Sequence, residues 1–263
     1  MRSTFTGLVL ALAALAALPA SEASARSRAQ VTVFAAASLT DVFPALDGAQ
    51  RYSFGGSNAL ATQIANGAPA DVFASANTTI PAQLYAKGLV EKPVSFTRNA
   101  LVIVVPKSNP ASIHTVYDLA KPGVKVDVAS SAVPVGSYTL QVLKKLNLTA
   151  KITPNVVSRE TDVREVLAKV ALGQADAGFV YSTDARSVPG KVTVIKMPAR
   201  AQAKITYAVA VVSRSAHKTA AQAFIRRVLS KSGQATMLRY GFLPLAKPAE
   251  KKPPKIKHPK KKP

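Results

Sequence analysis

The sequence predicts an α/β fold divided into two lobes. Between residues 31 and 240, short β-rich apolar runs alternate with segments of helical periodicity, and no long linker separates them. This alternation is typical of mainly parallel sheets flanked by helices. Two β-rich runs, 101–105 and 206–212, bracket the middle third of the chain. They predict the strands by which the chain leaves a first lobe and returns to it.

The first part of the core opens with residues 31–36 (VTVFAA), a run apolar on both faces, as in a covered parallel strand. A helix is predicted at 38–46, with Ser38 as its cap and Asp41 near its positive end. The next predicted elements are a strand at 52–54, a helix at 57–65 with its apolar residues at helical spacing, a strand at 71–74, a helix at 80–87 and a strand at 100–105.

The pattern restarts after Pro106. A strand is predicted at 124–128, and VPVG at 133–136 opens a helix that reaches about residue 146. A short strand at 156 precedes a helix at 162–172, whose apolar side chains share one face. The remaining predictions are strands at 177–181, 192–196 and 205–212, and helices at 220–229 and 233–240.

Both ends of the chain differ from this core in composition. Residues 1–25 combine Arg2, a short apolar stretch and the small-residue site Ala23-Ser24-Ala25, which predicts a secretory signal peptide. An uncleaved anchor is the alternative. Residues 247–263 contain eight Lys, five Pro and one Glu, which predicts a disordered tail. The predicted domains are therefore 26–105 plus 206–246 for the first lobe and 106–205 for the second.

The net charge of +22 first suggests an anionic partner such as nucleic acid. The tail carries +7 of it, however, and the remaining +15 is spread along the core without a dense basic block. Trp is absent, so material for base stacking is scarce. We therefore expect no nucleic-acid partner, although an exported basic protein that binds nucleic acid or envelope polyanions remains an alternative. The tail is expected either to contact an anionic envelope surface or to be merely solvated.

Residue types exclude several kinds of chemistry. The chain has no cysteine, which excludes disulfides, thiolate zinc sites and a lipid-anchoring cysteine. The histidines His114, His217 and His258 are isolated, and the sequence contains no metal-binding His pair, nucleophile elbow, Walker loop or dinucleotide fingerprint. We therefore expect a protein that is not an enzyme and needs no cofactor.

Four predicted helix starts follow strands, at Ser38, Ser57, Val135 and Val163. Helix N-termini present free N–H groups and a partial positive charge, and ligands of doubly wound sheets bind where such helices begin. These positions indicate an anion site between the lobes. The alternative for each serine is an ordinary N-cap.

A series of motifs also carries a family resemblance. In chain order the motifs are VTVFAAASLTD (31–41), FGGSNAL (54–60), QIANGAPADVF (63–73), VPVG (133–136), TDVR (161–164), GFVYSTD (178–184) and RYGF (239–242). Over residues 29–243 the sequence resembles the periplasmic molybdate-binding proteins of ABC transporters. The resemblance implies a type II periplasmic binding protein that is served by a membrane permease. With the predicted signal peptide and the missing cysteine, we expect a monomer that is secreted to the periplasm or extracytoplasmic space and is not lipid-anchored.

The resemblance further implies that molybdate or tungstate binds through its oxygens, with no direct protein ligand to the metal. Ser38 and Ser57 would donate through hydroxyl and N–H, Val135 and Val163 through N–H, and Tyr181 through its phenolic O–H. A fully ionised dianion offers only acceptors, so a site of donors suits it. Sulfate or another oxyanion is the near alternative. The Ser38–Ser57 separation is shorter than is usual in the family, and Val135 is bulkier than the residue often found there.

Overall fold

The structure is a computed structural model that describes residues 29–245. It contains two five-stranded sheets, and we call the part of the chain built on each sheet a lobe. The first lobe comprises residues 29–100 and 205–245, and the second comprises 101–204. The predicted signal peptide and the predicted Lys/Pro tail lie outside the described residues. The two-lobe α/β fold class is confirmed.

The strands of the first sheet have the order β2-β1-β3-β10-β4, and those of the second have the order β7-β6-β8-β5-β9. Their bounds are β1 Thr32–Ala36, β2 Arg51–Gly55, β3 Val72–Ser75, β4 Val94–Asn99, β5 Leu101–Pro106, β6 Val126–Ala129, β7 Val156–Glu160, β8 Ala177–Tyr181, β9 Val192–Lys196 and β10 Ile205–Val211. Four strands of each sheet run in one direction, while β10 and β5 run against their neighbours. The sheets are thus mainly parallel, as predicted.

Nine α-helices cover the sheets within the described part of the chain. They are α1 Val42–Leu46, α2 Ser57–Ala65, α3 Thr79–Ala86, α4 Pro134–Lys145, α5 Thr149–Ile152, α6 Val163–Ala171, α7 Ser182–Arg186, α8 Lys218–Leu229 and α9 Lys231–Arg239. Helix α6 packs on β5, β6 and β8 of the second sheet, and α8 packs on β10 of the first. Among residues 29–245, no helix is long and apolar enough to span a membrane.

One predicted domain boundary is wrong. The run at 101–105 was expected to close the first lobe, but strand β5 pairs with β8 and β9 of the second sheet. The chain therefore crosses between the lobes at Ala100 and returns just before Ile205. An apolar run predicts a buried strand, but it does not say which sheet the strand joins.

The first predicted helix is also different in the structure. Instead of one helix at 38–46 there is a 3₁₀ turn at Ala37–Leu39, followed by the short helix α1. A continuous helix would place Pro44 in its interior, where the ring clashes with the carbonyl four residues earlier. The turn closes instead on Thr40, whose Oγ1 donates to the carbonyl of Ala37 at 2.6 Å. Strand β4 and the short helices α5 and α7 were not predicted.

Candidate anion-binding site

A small cavity lies between the two lobes, and its volume open to the centre of a water molecule is about 10 Å³. It is lined by residues of both lobes, namely Ala36, Ala37, Ser38, Gly55, Gly56, Ser57, Ala76, Val133, Pro134, Val135, Asp162, Val163 and Tyr181. All five residues that the resemblance pointed to are in this set. The structure therefore brings together, around one cavity, residues that span more than half of the chain.

The first lobe contributes two serines whose hydroxyls do not cap a helix. Ser38 lies in the 3₁₀ turn after β1, and its Oγ is 2.8 Å from Tyr207 Oη, so the predicted cap at Ser38 is wrong. Ser57 is the first residue of α2, and its Oγ accepts a hydrogen bond from the N–H of Ala76 at 3.1 Å. Because Ser57 Oγ is an acceptor in that bond, its own proton is available to a ligand. Ordinary N-capping therefore explains neither serine.

The second lobe contributes the start of α4. Val135 follows Pro134, the first residue of that helix, so its N–H belongs to the first turn, where N–H groups have no partner within the helix. Gly136 lets the loop before the helix approach closely, since a Cβ there would lie 2.1 Å from the carbonyl oxygen of Ser130. Val135 is buried, and its side chain belongs to the hydrophobic core.

Helix α6 begins at the cavity with Val163. Its N-cap, Asp162, accepts through Oδ1 from the N–H groups of Arg164 at 2.7 Å and Glu165 at 3.2 Å. These bonds satisfy the second and third N–H groups of the helix and leave that of Val163 for a ligand. The Asp162 cap thus leaves unoccupied the N–H of Val163, which is the group that the resemblance assigned to the site.

Tyr181 closes the cavity from the end of β8. Its side chain is 1% exposed, and within residues 29–245 its Oη has no hydrogen-bond partner. Burial raises the pKa of this hydroxyl well above its usual value, so it remains protonated and can donate. A buried hydroxyl without a partner is costly unless a ligand or water satisfies it. The Tyr181 hydroxyl is therefore a donor without an acceptor at the wall of the cavity.

The cavity wall is nearly free of formal charge. Its lining contains no Lys, Arg or His among the described residues, and Asp162 is the one ionisable carboxyl. Burial raises the pKa of Asp162, while its bonds to backbone N–H groups lower it. No group of three His, Asp or Glu in the described segment could hold a metal ion. The chemistry that the wall offers is hydrogen-bond donation by hydroxyls and backbone N–H groups.

The two lobes meet closely beside the cavity. Gly56 of the first lobe lies so near Thr161 of the second that a Cβ on Gly56 would be 2.3 Å from the Thr161 carbonyl oxygen. Arg164 donates to Asp41 of the first lobe at 2.5 Å and to Asp184 of its own lobe at 3.1 Å. The structure thus shows the lobes closed around the cavity.

Sequence reasoning missed several of these residues. Gly56 and Arg164 lie inside the quoted motifs, but nothing in the motifs shows that they reach across to the other lobe. Tyr207 lies in an apolar strand, and a tyrosine hydroxyl in such a strand needs a buried hydrogen-bond partner. That need was the feature of the sequence that could have indicated a polar contact at Tyr207. Asn99, whose Nδ2 lies 3.2 Å from Tyr207 Oη, gave no signal because its strand was not predicted.

Comparison with known proteins places the chain in a family. Residues 31–243 match the family model for bacterial extracellular solute-binding proteins. The molybdate-binding protein ModA of Mycobacterium tuberculosis is 39% identical over 223 residues, which cover 81% of this chain and 84% of the relative. The substrate-binding domain of a putative molybdenum ABC transporter from Clostridium difficile is 31% identical, with a TM-score of 0.60 and coverage of 82% and 99%.

A second solved structure agrees in fold. The periplasmic molybdate-binding protein of Azotobacter vinelandii has a TM-score of 0.72 at 24% identity, with 81% of this chain and 99% of that one covered. The family resemblance predicted from the motifs is confirmed. The chain belongs to the bacterial extracellular solute-binding protein family.

Proposed function

We propose that this protein captures molybdate or tungstate outside the cytoplasm and passes it to the membrane permease of an ABC importer. In this proposal the oxyanion binds in the inter-lobe cavity, is not chemically changed, and needs no cofactor. The proposal names five donor residues: Ser38, Ser57, Val135, Val163 and Tyr181.

The observation that carries the proposal is the Tyr181 hydroxyl. It is buried, protonated and without a partner among the described residues, and it lies on the wall of a cavity where two serine hydroxyls and the N–H groups of two helix starts can also donate. An acceptor in the cavity would satisfy this hydroxyl together with the hydroxyl protons of the serines. An oxyanion is the ligand class that offers several acceptor oxygens within such a small space.

The nearly uncharged wall supports a ligand that must be released again. Each charge-assisted hydrogen bond contributes about 1.5–3 kcal/mol, so several of them hold a dianion without a buried counter-charge. The net positive charge of the protein acts at longer range, where it raises the rate of encounter and is screened by salt. Lobe opening then exposes the anion to water and frees it.

The named relatives support molybdate over other oxyanions. The ModA protein of Mycobacterium tuberculosis aligns over most of both chains. Sulfate remains the near alternative within the same site, since a sulfate dianion also presents only acceptors. We also propose a monomer, because all five proposed donors come from a single chain. For attachment we propose no lipid anchor, since the printed sequence has no cysteine to carry one.

Isothermal titration of molybdate into the full chain and three variants tests the site. Ser38→Ala, Ser57→Ala and Tyr181→Phe are each expected to weaken binding at least about five-fold, the effect of about 1 kcal/mol for one lost hydrogen bond. Ser95→Ala, on an exposed position of β4, is the matched control and should bind like the wild type. Unchanged affinity in all three site variants would reject this cavity as the binding site.

A further inference from the structure

The Ser38 hydroxyl is part of a buried chain of hydrogen bonds that leads away from the cavity. Ser38 Oγ and Tyr207 Oη are 2.8 Å apart, and Asn99 Nδ2 lies 3.2 Å from the same Tyr207 oxygen. All three residues are at most 4% exposed. Water therefore does not compete for these groups, and the direction of each hydrogen bond is set by the protein.

The direction of the chain starts at Asn99. The N–H of Ala100 donates at 2.9 Å to the side-chain oxygen of Asn99, and Ser182 Oγ donates to the same oxygen at 3.0 Å. A backbone N–H can meet only an acceptor, so the oxygen and nitrogen of the Asn99 amide are assigned without ambiguity. The amide nitrogen therefore faces Tyr207 and donates to Tyr207 Oη.

The next step follows from the single proton of the Tyr207 hydroxyl. Burial raises the pKa of Tyr207 well above its usual value, so the proton is present. Its oxygen already accepts from Asn99, and within the described residues Ser38 Oγ is the hydrogen-bond partner that can take its proton. In the arrangement that satisfies every group, Tyr207 donates to Ser38. The proton of Ser38 is then free to point into the cavity.

We propose that Tyr207, oriented by Asn99, is a positioning residue that fixes the Ser38 hydroxyl as a donor toward the oxyanion. This inference rests on the proposed function and adds a specificity element to the same site. Without Tyr207, the Ser38 proton is free to rotate away from the ligand, and the hydroxyl loses its donor direction.

The chain of hydrogen bonds also depends on the second lobe. Asn99 is the last residue of β4, next to the point where the chain crosses between lobes, and its Nδ2 also donates to Thr183 Oγ1 of the second lobe at 2.9 Å. Ser182, which donates to the Asn99 oxygen, belongs to the second lobe as well. The packing of the lobes at the crossing thus sets the orientation of Asn99, and through Tyr207 that of Ser38.

A double-mutant cycle with molybdate titration tests this assignment. Tyr207→Phe keeps the ring and removes the hydroxyl, and it is expected to weaken binding about five- to ten-fold in the wild-type background. In the Ser38→Ala background the same change is expected to alter the dissociation constant less than two-fold, because its effect passes through Ser38. A merely structural role for Tyr207 would weaken binding equally in both backgrounds.

A second variant reverses the chain of hydrogen bonds. In Asn99→Asp an acceptor oxygen replaces the amide nitrogen, so Tyr207 would donate to residue 99 and Ser38 would then donate to Tyr207, away from the ligand. We expect at least a ten-fold loss of affinity with Ser38 present and a clearly smaller loss in the Ser38→Ala background. Circular dichroism and thermal melts establish that each variant is folded.

Tyr52→Phe is the control for the loss of a hydrogen-bonded tyrosine hydroxyl at a partly buried position. Tyr52 Oη donates to the backbone carbonyl of Asp47 at 2.6 Å in the first lobe and does not line the cavity. It should lower thermal stability and leave affinity within two-fold of the wild type. Equal losses of affinity in the two Ser38 backgrounds would overturn the positioning role of Tyr207. An unchanged affinity in Tyr207→Phe, or in Asn99→Asp, would overturn it as well. Each of these results would leave the proposed function standing. A wild type that binds no oxyanion would overturn the proposed function and this inference together.

Discussion

Arg164 of the second lobe donates to Asp41 of the first lobe across a distance of 2.5 Å. The same guanidinium also holds the fully buried Asp184 of its own lobe at 3.1 Å. Arg164 directly follows Val163, which lines the cavity, so this ion pair joins the lobes beside the proposed ligand site. An ion pair across the cleft stabilises the closed arrangement independently of the ligand.

Asp41→Asn is expected to favour the open arrangement of the lobes. It removes the charge that crosses the cleft while Arg164 keeps its buried partner Asp184, so the fold should tolerate it. Because Asp41 is partly exposed, the expected loss of molybdate affinity is modest, about two- to five-fold. Titration and small-angle scattering of the ligand-free protein measure affinity and closure. Glu91→Gln removes an exposed ion pair to Lys218 within the first lobe and should change neither.

Gly56→Ala is expected to block closure. The added methyl would lie 2.3 Å from the Thr161 carbonyl oxygen of the other lobe, which is closer than atoms can pack. We expect molybdate binding to weaken at least about ten-fold, in line with the cost of overpacking. Ser95→Ala, on an exposed position of β4 outside the cavity lining, is the control and should bind like the wild type. Equal affinities for the two variants would contradict the tight lobe contact.

Asp162→Asn is expected to tighten binding of a dianion. Asparagine caps helices as well as aspartate does, so the bonds to the N–H groups of Arg164 and Glu165 should persist. The change removes a negative charge from the cavity wall, an effect of about 1 kcal/mol or about five-fold in affinity when water still screens the pair. Titration at low and high salt measures it, and the gain should shrink as salt rises. Weaker binding by a folded Asp162→Asn protein would show that the carboxylate assists the ligand.

Asp127 is expected to make stability depend on pH. It is fully buried on β6, and burial together with the Glu160 carboxylate raises its pKa to about 7. Lys169, 2.5 Å from Glu160 Oε1, favours the charged form of Glu160, so the proton is held by Asp127. The unfolded carboxyl titrates near pH 4, so the native state binds the extra proton between pH 4 and 7. The free energy of unfolding should therefore fall as pH rises through this range.

Asp127→Asn tests this dependence by removing the titrating group while keeping its shape. Urea unfolding at pH 5 and pH 8 should show a smaller difference in the variant than in the wild type. An unchanged difference between the two pH values would mean that Asp127 is not the group that titrates.

The fold could be predicted largely from periodicity, and the errors have physical causes. The apolar run at β5 was correctly predicted as a strand, but which sheet it joins depends on contacts with β8 and β9 that lie far along the chain. Strand β4 was missed because it begins with two exposed residues, Val94 and Ser95, and lies at the edge of its sheet. Edge strands carry a weaker apolar pattern than central ones.

The candidate site was predictable only where a residue lies at a helix start or in a family motif. Ser57, Val135 and Val163 lie at helix starts that periodicity predicts, whereas Tyr181 came from the resemblance alone. Tyr207 and Asn99 are 108 residues apart and meet because β10 pairs with β4 in the sheet of the first lobe. No local pattern contains that contact, so the hydrogen bonds behind Ser38 could be found only in the structure.

The dissociation constants of molybdate and phosphate, measured side by side on the purified full chain near pH 7.5, test the central claim most directly. A cavity wall of neutral donors should bind the fully ionised molybdate with a dissociation constant below about 10 μM, equivalent to about −7 kcal/mol. Hydrogen phosphate carries a proton that none of the five proposed donors is placed to accept, and the Asp162 carboxylate is engaged as the cap of α6. We therefore expect hydrogen phosphate to bind at least about 100-fold more weakly. No molybdate binding below 10 μM, or equal affinities for the two anions, would contradict the account.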